Sequence, residues 1–366
     1  MVRRIDDPLR GFDHGLARPS PTLDEVDRMS LDARAPRRPF ALPRFRGGTA
    51  QILALVLLAL LIVFWLLLGD QLFSVRALQS MAFQLPELGI LSLAMMVALL
   101  SGGLNLSIIA TANLCALAMA WVLTTHATGA EGAMWVAWQV IAVLAGVAVG
   151  TIVGLINGFV IAYLGVSPIL ATLGTMTMCK GLAISLTRGN VISGFPDPIV
   201  LLGNGTLMGV PVALLIFLAL CVPVAVLLNK SPFGHRIYMI GSNEKATRYS
   251  GVDTKRVLHG VYVLSSLLAV VAALVMMARF NSANASYGES YLLVTILAAV
   301  LGGVDPFGGF GKVGGLLMAL IVLQVISSAF NLLNFSPFLT VAIWGALIIG
   351  VTGLSVVLES LGWRRR

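Results

Sequence analysis

Ten apolar runs, at about Ala50–Leu68, Phe83–Leu100, Ile108–Thr125, Met134–Leu164, Pro168–Leu186, Leu207–Leu228, Val257–Phe280, Tyr291–Leu301, Val313–Leu332 and Pro337–Leu358, decide what this chain can fold into. A helix needs about 20 apolar residues to cross the hydrocarbon of a bilayer, and most of these runs have that length. With 58% hydrophobic and 11% charged residues among 366, the chain carries more apolar surface than a soluble core of its size would bury. The ten-residue alternation of an outer-membrane barrel is missing. The expected fold is therefore an all-α integral membrane protein of about ten transmembrane helices. The fourth run is long enough to tilt or break, and the eighth is too short to cross unless it borrows flanking residues.

Charge divides the chain and orients it. Residues 1–48 hold ten arginines among six prolines and several acids, and read as a disordered basic cytoplasmic arm without the early apolar core of a signal peptide. A first transmembrane half, 49–228, is separated from a second, 257–366, by the polar loop 229–256, and the second half ends in a short basic tail. With both termini cytoplasmic, ten crossings put that loop on the same side. The arm, the loop, Lys312 and the final three arginines then place 20 of the 24 lysines and arginines inside. The longest outer loop, Thr187–Thr206, is either a surface for an extracytoplasmic partner or a plain connector.

Inside the basic loop, Gly241, Ser242 and Asn243 precede Glu244–Ser250, and Gly251 follows. A capping side chain, an acid in the first turn, a base in the last and a closing glycine predict a helix of about two turns. Glu244 and Arg248 stand four apart in the favourable order; Ala246 and Tyr249 lie between and beyond them. So short a helix is marginal alone in water, so it either rides as a solvated loop helix or docks on a soluble partner.

The two halves share interruptions. Ala98–Asn105 reads ALLSGGLN and Ala298–Asp305 reads AAVLGGVD, while GVSPIL at 165–170 matches NFSPFL at 334–339. Matching breaks in two halves point to a transport pathway, and a tight cytoplasmic turn or close helix packing is the alternative. Gly102, Gly103, Gly302, Gly303 and Asp305 are thus pathway candidates. So are Asn105, Ser107, Asn157, Thr172 and Lys180, polar groups that should face the bundle rather than lipid. Lys180 is the one cation inside a span, and snorkelling outward or pairing with a carbonyl is its bland role. Intramembrane acids are nearly absent, which disfavours a proton relay. Cys115, Cys179 and Cys221 all fall in apolar runs, so no disulfides are expected, and the scattered histidines give a metal site no support. Residues 308–313 fail as a phosphate loop because Pro306 and Val313 stand where glycine and Ser or Thr are required.

Four stretches, SGGLNLS at 101–107, GLINGFVIAYLGVSPILATLGTM at 154–176, FGHRIYMIGSNEKATRYSGV at 233–252 and LGGVDPFGGFGKVGG at 301–315, together resemble the membrane permeases of bacterial ABC importers for monosaccharides, the ribose-type branch. The resemblance implies an inner-membrane subunit that pairs with a second permease protomer and receives solute from a periplasmic binding protein. It also implies two cytoplasmic ATPase subunits, which would hold the ATP and Mg; none is expected on this chain. By that likeness 241–251 is the coupling helix, membrane lipid is the surround, and no nucleic-acid partner is expected. The family commonly has aspartate where this chain has Asn105 and arginine near Lys180, which leaves a charge-based role at either position in doubt. A permease for nucleosides or branched-chain amino acids, a stand-alone secondary transporter and a receptor-like membrane protein are the competing readings.

Overall fold

The computed structural model describes residues 49–127, 129–336, 339–346 and 349; the basic segment 1–48 and most of the tenth apolar run lie outside them. The membrane-length helices are α1 (Thr49–Leu68), α2 (Val75–Leu100), α3 (Ile108–Val122, prolonged by a π-helical turn to Ala127), α4 (Gly132–Ala162) and α5 (Pro168–Thr187), then α7 (Val212–Lys230), α9 (Thr254–Phe280) and α11 (Val313–Leu332). Between them lie the short helix α6 (Asp197–Asn204), the polar helix α8 (Pro232–Tyr249) and α10 (Tyr291–Leu301). Among the described residues, eight helices are long and apolar enough to cross a membrane, and α10 is shorter. Two ribbons, β1 (Ile192–Ser193) with β4 (Ser282–Ala283) and β2 (Thr206–Leu207) with β3 (Val210–Pro211), tie connections together at the end of the bundle away from α8.

α9 is the central post, packed against α2, α3, α4, α6 and α8. α2, α3 and α9 are mostly buried, whereas α1, α4, α5 and α7 leave much of their surface outside. Small residues let α9 be surrounded closely. The seam with α4 is built on glycines four residues apart: a Cβ at Gly150 would meet Val270 Cγ2 at 2.2 Å, one at Gly154 the backbone of Val263 at 2.8 Å, and one at Gly158 the carbonyl of His259 at 2.8 Å. In lipid, where apolar burial does not favour helix association, such close approach is what holds two helices together.

Several expectations change. The fourth run forms one continuous helix of 31 residues, tilted or not, without a break. α2 starts eight residues before the expected Phe83, because Ser74 caps it, its hydroxyl accepting the Ala77 N–H at 3.2 Å, while Arg76, Gln79 and Ser80 lower the hydropathy of the first turns. α6 occupies part of the loop 187–206, for which no helix was expected. The shortness of α10 also gains a reason. The preceding connection, 281–290, enters the bundle: Asn113, in the second turn of α3, donates to the carbonyls of Ala285 at 3.0 Å and Tyr287 at 2.9 Å. Irregular backbone is tolerated there because protein covers it and an amide satisfies it, so α10 has only part of the thickness left to travel.

Candidate functional site

The polar loop is more helical than its sequence suggests. α8 runs from Pro232, capped by Ser231, whose hydroxyl accepts the Gly234 N–H at 3.0 Å, and is interrupted at Asn243, whose φ of −162° and ψ of 100° are extended. Asn243 then caps a second, short helix, its side-chain oxygen accepting the Ala246 N–H at 2.9 Å. Gly251, at φ +83°, ends that helix, with its own N–H on the Arg248 carbonyl and the Val252 N–H on the Thr247 carbonyl. This paired closure is the expected glycine stop. From Ser242 to Ser250 only Thr247 is buried, and Tyr249 is 92% exposed.

Both glycine breaks meet this element. α2 closes with Gly102 at φ +81°, its N–H on Leu99 and that of Gly103 on Ala98; α10 closes with Gly303 at φ +84°, its N–H on Val300 and that of Val304 on Ala299. The two breaks use the same stop, displaced by one residue. In the first pair the leading glycine takes the left-handed conformation, and Gly103 packs so closely that a Cβ would lie 2.3 Å from the Tyr262 hydroxyl. In the second pair the roles exchange: Gly302 packs on Gly315 and Leu316 of α11. From the second break, Gly309 donates its N–H to the Leu100 carbonyl at 3.0 Å, so one break caps the helix that ends in the other. Gly241 of α8 lies between them, with a Cβ there placed 2.1 Å from the Leu100 carbonyl oxygen and 2.3 Å from the Gly309 nitrogen. Tyr238 adds a tether, donating to the Gly311 carbonyl at 2.9 Å; burial raises its phenol above the ordinary range, so it remains a donor.

Four of the polar candidates, Asn105, Ser107, Asn157 and Thr172, gather beyond the first break. The Thr175 hydroxyl donates to the Asn157 side-chain oxygen at 2.6 Å, and Asn157 donates to the Ser107 hydroxyl at 2.9 Å. Ser107 donates to the Asn105 oxygen at 2.7 Å, Asn105 to the Ser265 hydroxyl at 2.9 Å, and Ser265 to the Ala94 carbonyl at 2.9 Å. This one-directional chain stitches α5, α4, α3, α9 and α2. Ser265 lies eleven residues into α9, so at 1.5 Å per residue the chain sits about 16 Å from that end of the helix. Thr172 stays outside that chain of bonds, its hydroxyl donating to the Pro168 carbonyl at 2.7 Å within its own helix and lying 3.3 Å from the Leu104 carbonyl beside the first break. Asp305 organises the second break, accepting the Phe307 N–H at 2.9 Å through its carboxylate.

Lys180 stands apart from both groups and pairs with Glu289 of the entering connection at 2.7 Å. Its hydrogen bond holds the Glu289 carboxyl below the ordinary range. Any stability from this pair is therefore present above the unfolded carboxyl's pKa and is lost as pH falls through the lowered value. Both side chains are about half exposed, so the pair contributes less than about 1 kcal/mol. Glu289→Gln is expected to shift the detergent unfolding midpoint by no more than that at pH 7 and to flatten its acid limb; a shift several times larger would give the pair a structural role.

One cluster escaped the sequence reading. Glu87 of α2 is fully buried and accepts from Arg279 of α9 and from the Tyr291 hydroxyl of α10 at 2.8 Å, all on Oε1, leaving Oε2 without a partner. An acid in an apolar run was the available signal; its partners lie too far along the chain to be read.

A multi-helix membrane protein whose two interrupted segments converge on a capped, exposed helix has the build of a transport permease. The comparison with known proteins gives the family: the chain belongs to the permease components described as "Branched-chain amino acid transport system / permease component", the match running over residues 77–352. Its curated relatives include the autoinducer 2 import system permease protein of Photorhabdus temperata, 31% identical over 76% of this chain and 84% of that protein. The ribose import permease protein of Bacillus subtilis is 34% identical over 71% of this chain and 79% of its own length. The autoinducer 2 permease of Salmonella typhi is 29% identical over 85% of this chain and 95% of its length. No solved structure matches the chain. It is a multi-pass membrane permease subunit, and the resemblance to sugar-importer permeases stands.

Proposed function

We propose that this permease moves a monosaccharide or a related polyol into the bacterial cytoplasm, driven by ATP and Mg bound on two partner ATPase subunits docked at α8. A periplasmic binding protein delivers the solute at the opposite end, and a second permease protomer completes the path. The basic loop faces the cytoplasm with both chain ends, in keeping with its excess of lysine and arginine.

The observation that carries this reading is the second helix of α8. It is capped at both ends, exposes Tyr249, and is continuous through Asn243 with Gly241, where the two breaks meet. A push on the exposed helix is thereby delivered, through the junction at Asn243, to the ends of α2 and α10. Phe307, 85% exposed on the second break, adds apolar surface beside it. Sugar as the solute is favoured by the named relatives, one a ribose import permease and two autoinducer 2 import permeases. Buried acids give the secondary-transporter reading little, since Glu87 is already paired.

The test is the double variant Glu244→Ala/Arg248→Ala, purified with its ATPase and reconstituted with the binding protein. ATP-driven sugar uptake is expected to fall at least about tenfold, a coupling loss of about 1.4 kcal/mol, with the membrane part still folded. Uptake equal to that of the unaltered protein would remove the coupling assignment.

A further inference from the structure

A polar cleft of about 430 Å³ opens beside α8, between the first break and the exposed helix. Its walls are the first break, the α4–α5 turn at 163–167, the second helix of α8 and the start of α9. Three features of this cleft bear on one chemistry. At its floor is Tyr262, fully buried, whose hydroxyl has no hydrogen-bond partner and lies against Gly103, itself part of the lining. A buried hydroxyl left unpaired costs free energy, and a ligand atom is one way to satisfy it.

On one wall are Thr254 and Lys255, the first two residues of a 27-residue helix. Asp253 caps that helix by accepting the Arg256 N–H at 3.2 Å, which leaves the two earlier N–H groups free of intrahelical partners. A long helix favours an anion at this end. Arg248 and Lys255 add two cations against the single carboxylate of Glu244, giving the charged lining a net positive balance. Glu244 and Ser101 are suited to hydroxyls on the body of a ligand rather than to its anionic group.

We propose that this cleft binds a small phosphate-bearing polyol, its phosphate held by the start of α9, Lys255 and the Tyr262 hydroxyl, and its hydroxyls by Ser101 and Glu244. The phosphate comes either from a soluble cytoplasmic metabolite or from the glycerol headgroup of an anionic phospholipid. A ligand there touches both the first break and the exposed helix of α8, so its presence biases how that helix sits. The binding itself stands independently of the transport reading.

The experiment titrates the full chain in detergent with glycerol 3-phosphate by calorimetry, with glycerol as the control. Native mass spectrometry of the same preparation from phosphatidylglycerol-containing membranes follows retained lipid. Saturable glycerol 3-phosphate binding with Kd below about 1 mM is expected, with none for glycerol. Tyr262→Phe, which keeps the ring and removes only the unpaired hydroxyl, should weaken it about fivefold or more, and Lys255→Gln about tenfold or more. Lys230→Gln, at the end of α7, should leave it unchanged. If glycerol 3-phosphate fails but retained phosphatidylglycerol is lost in Tyr262→Phe and Lys255→Gln, the lipid is the source. The proposal is overturned if neither phosphate form binds, if glycerol binds equally well, or if both variants bind as the unaltered chain does.

Discussion

Gly241→Val is expected to abolish ATP-driven uptake while the protein still inserts and folds. The added side chain would enter a space bounded on both sides by backbone, 2.1 Å from the Leu100 carbonyl oxygen and 2.3 Å from the Gly309 nitrogen. Those two atoms are themselves joined by a 3.0 Å hydrogen bond, so no flexible side chain can give way. Either that bond breaks or α8 lifts from the breaks. Overpacking of this kind costs about 1–3 kcal/mol, and the lost bond about 1 kcal/mol more. Set against a stability of about 5–15 kcal/mol, this opens the junction without unfolding the bundle. Gly251→Ala is the matched control. Gly251 has φ +83° but open space around its Cβ position, so alanine there strains one turn by about 1–2 kcal/mol and leaves the junction closed. Reconstituted uptake, with ATPase co-purification alongside, should separate the two variants by at least about tenfold. Equal uptake by Gly241→Val and the unaltered chain would show that motion does not pass through Gly241.

The second large effect lies in the membrane. Arg279→Met leaves the fully buried Glu87 carboxylate with only Tyr291 as a donor, and stripping one partner from a buried ion pair costs about 3–5 kcal/mol. Glu87→Gln alone is expected to cost much less. Its amide oxygen still accepts from Tyr291, and the Arg279 side chain, 20% exposed, is near enough to the surface to be hydrated. The double variant Glu87→Gln/Arg279→Met should therefore be more stable than Arg279→Met alone. Denaturation midpoints of the four proteins in detergent close the cycle. A midpoint for Arg279→Met equal to that of the unaltered protein, or a double variant less stable than either single one, would show that the pair does not hold α2, α9 and α10 together.

Much of this was legible because its signals are local. Asn243 as a cap, Gly251 as a stop, the two glycine breaks and the Ser167–Pro168 start of α5 each depend on residues within about one turn of one another, where backbone sterics and capping bonds act. The glycines at 150, 154 and 158 were equally local in spacing, yet hydropathy ignores them, because glycine neither raises nor lowers an apolar run; a count of small residues at a four-residue period would have found the α4–α9 seam, and Gly146, one step earlier, packs on Met119 of α3 instead. The reach of α8 back to Pro232 was missed although Phe233, Ile237 and Ile240 stand at helical spacing and pack on the core, because the loop was read from its caps alone and not for an apolar stripe.

The sequence alone determined that this is a multi-span membrane protein with matching interruptions in its two halves and a capped helix in its basic loop, since bilayer thickness and glycine sterics act on neighbouring residues; that it is a permease rested on the resemblance of its motifs. Only the tertiary structure decided that both breaks close on Gly241, that Asn105 bonds Ser265 across 160 residues, and that Glu87 meets Arg279 and Tyr291 across 192 and 204. Helices that are apolar on every side leave their rotation and register open to the pattern of hydropathy, and those two quantities select which polar groups face one another.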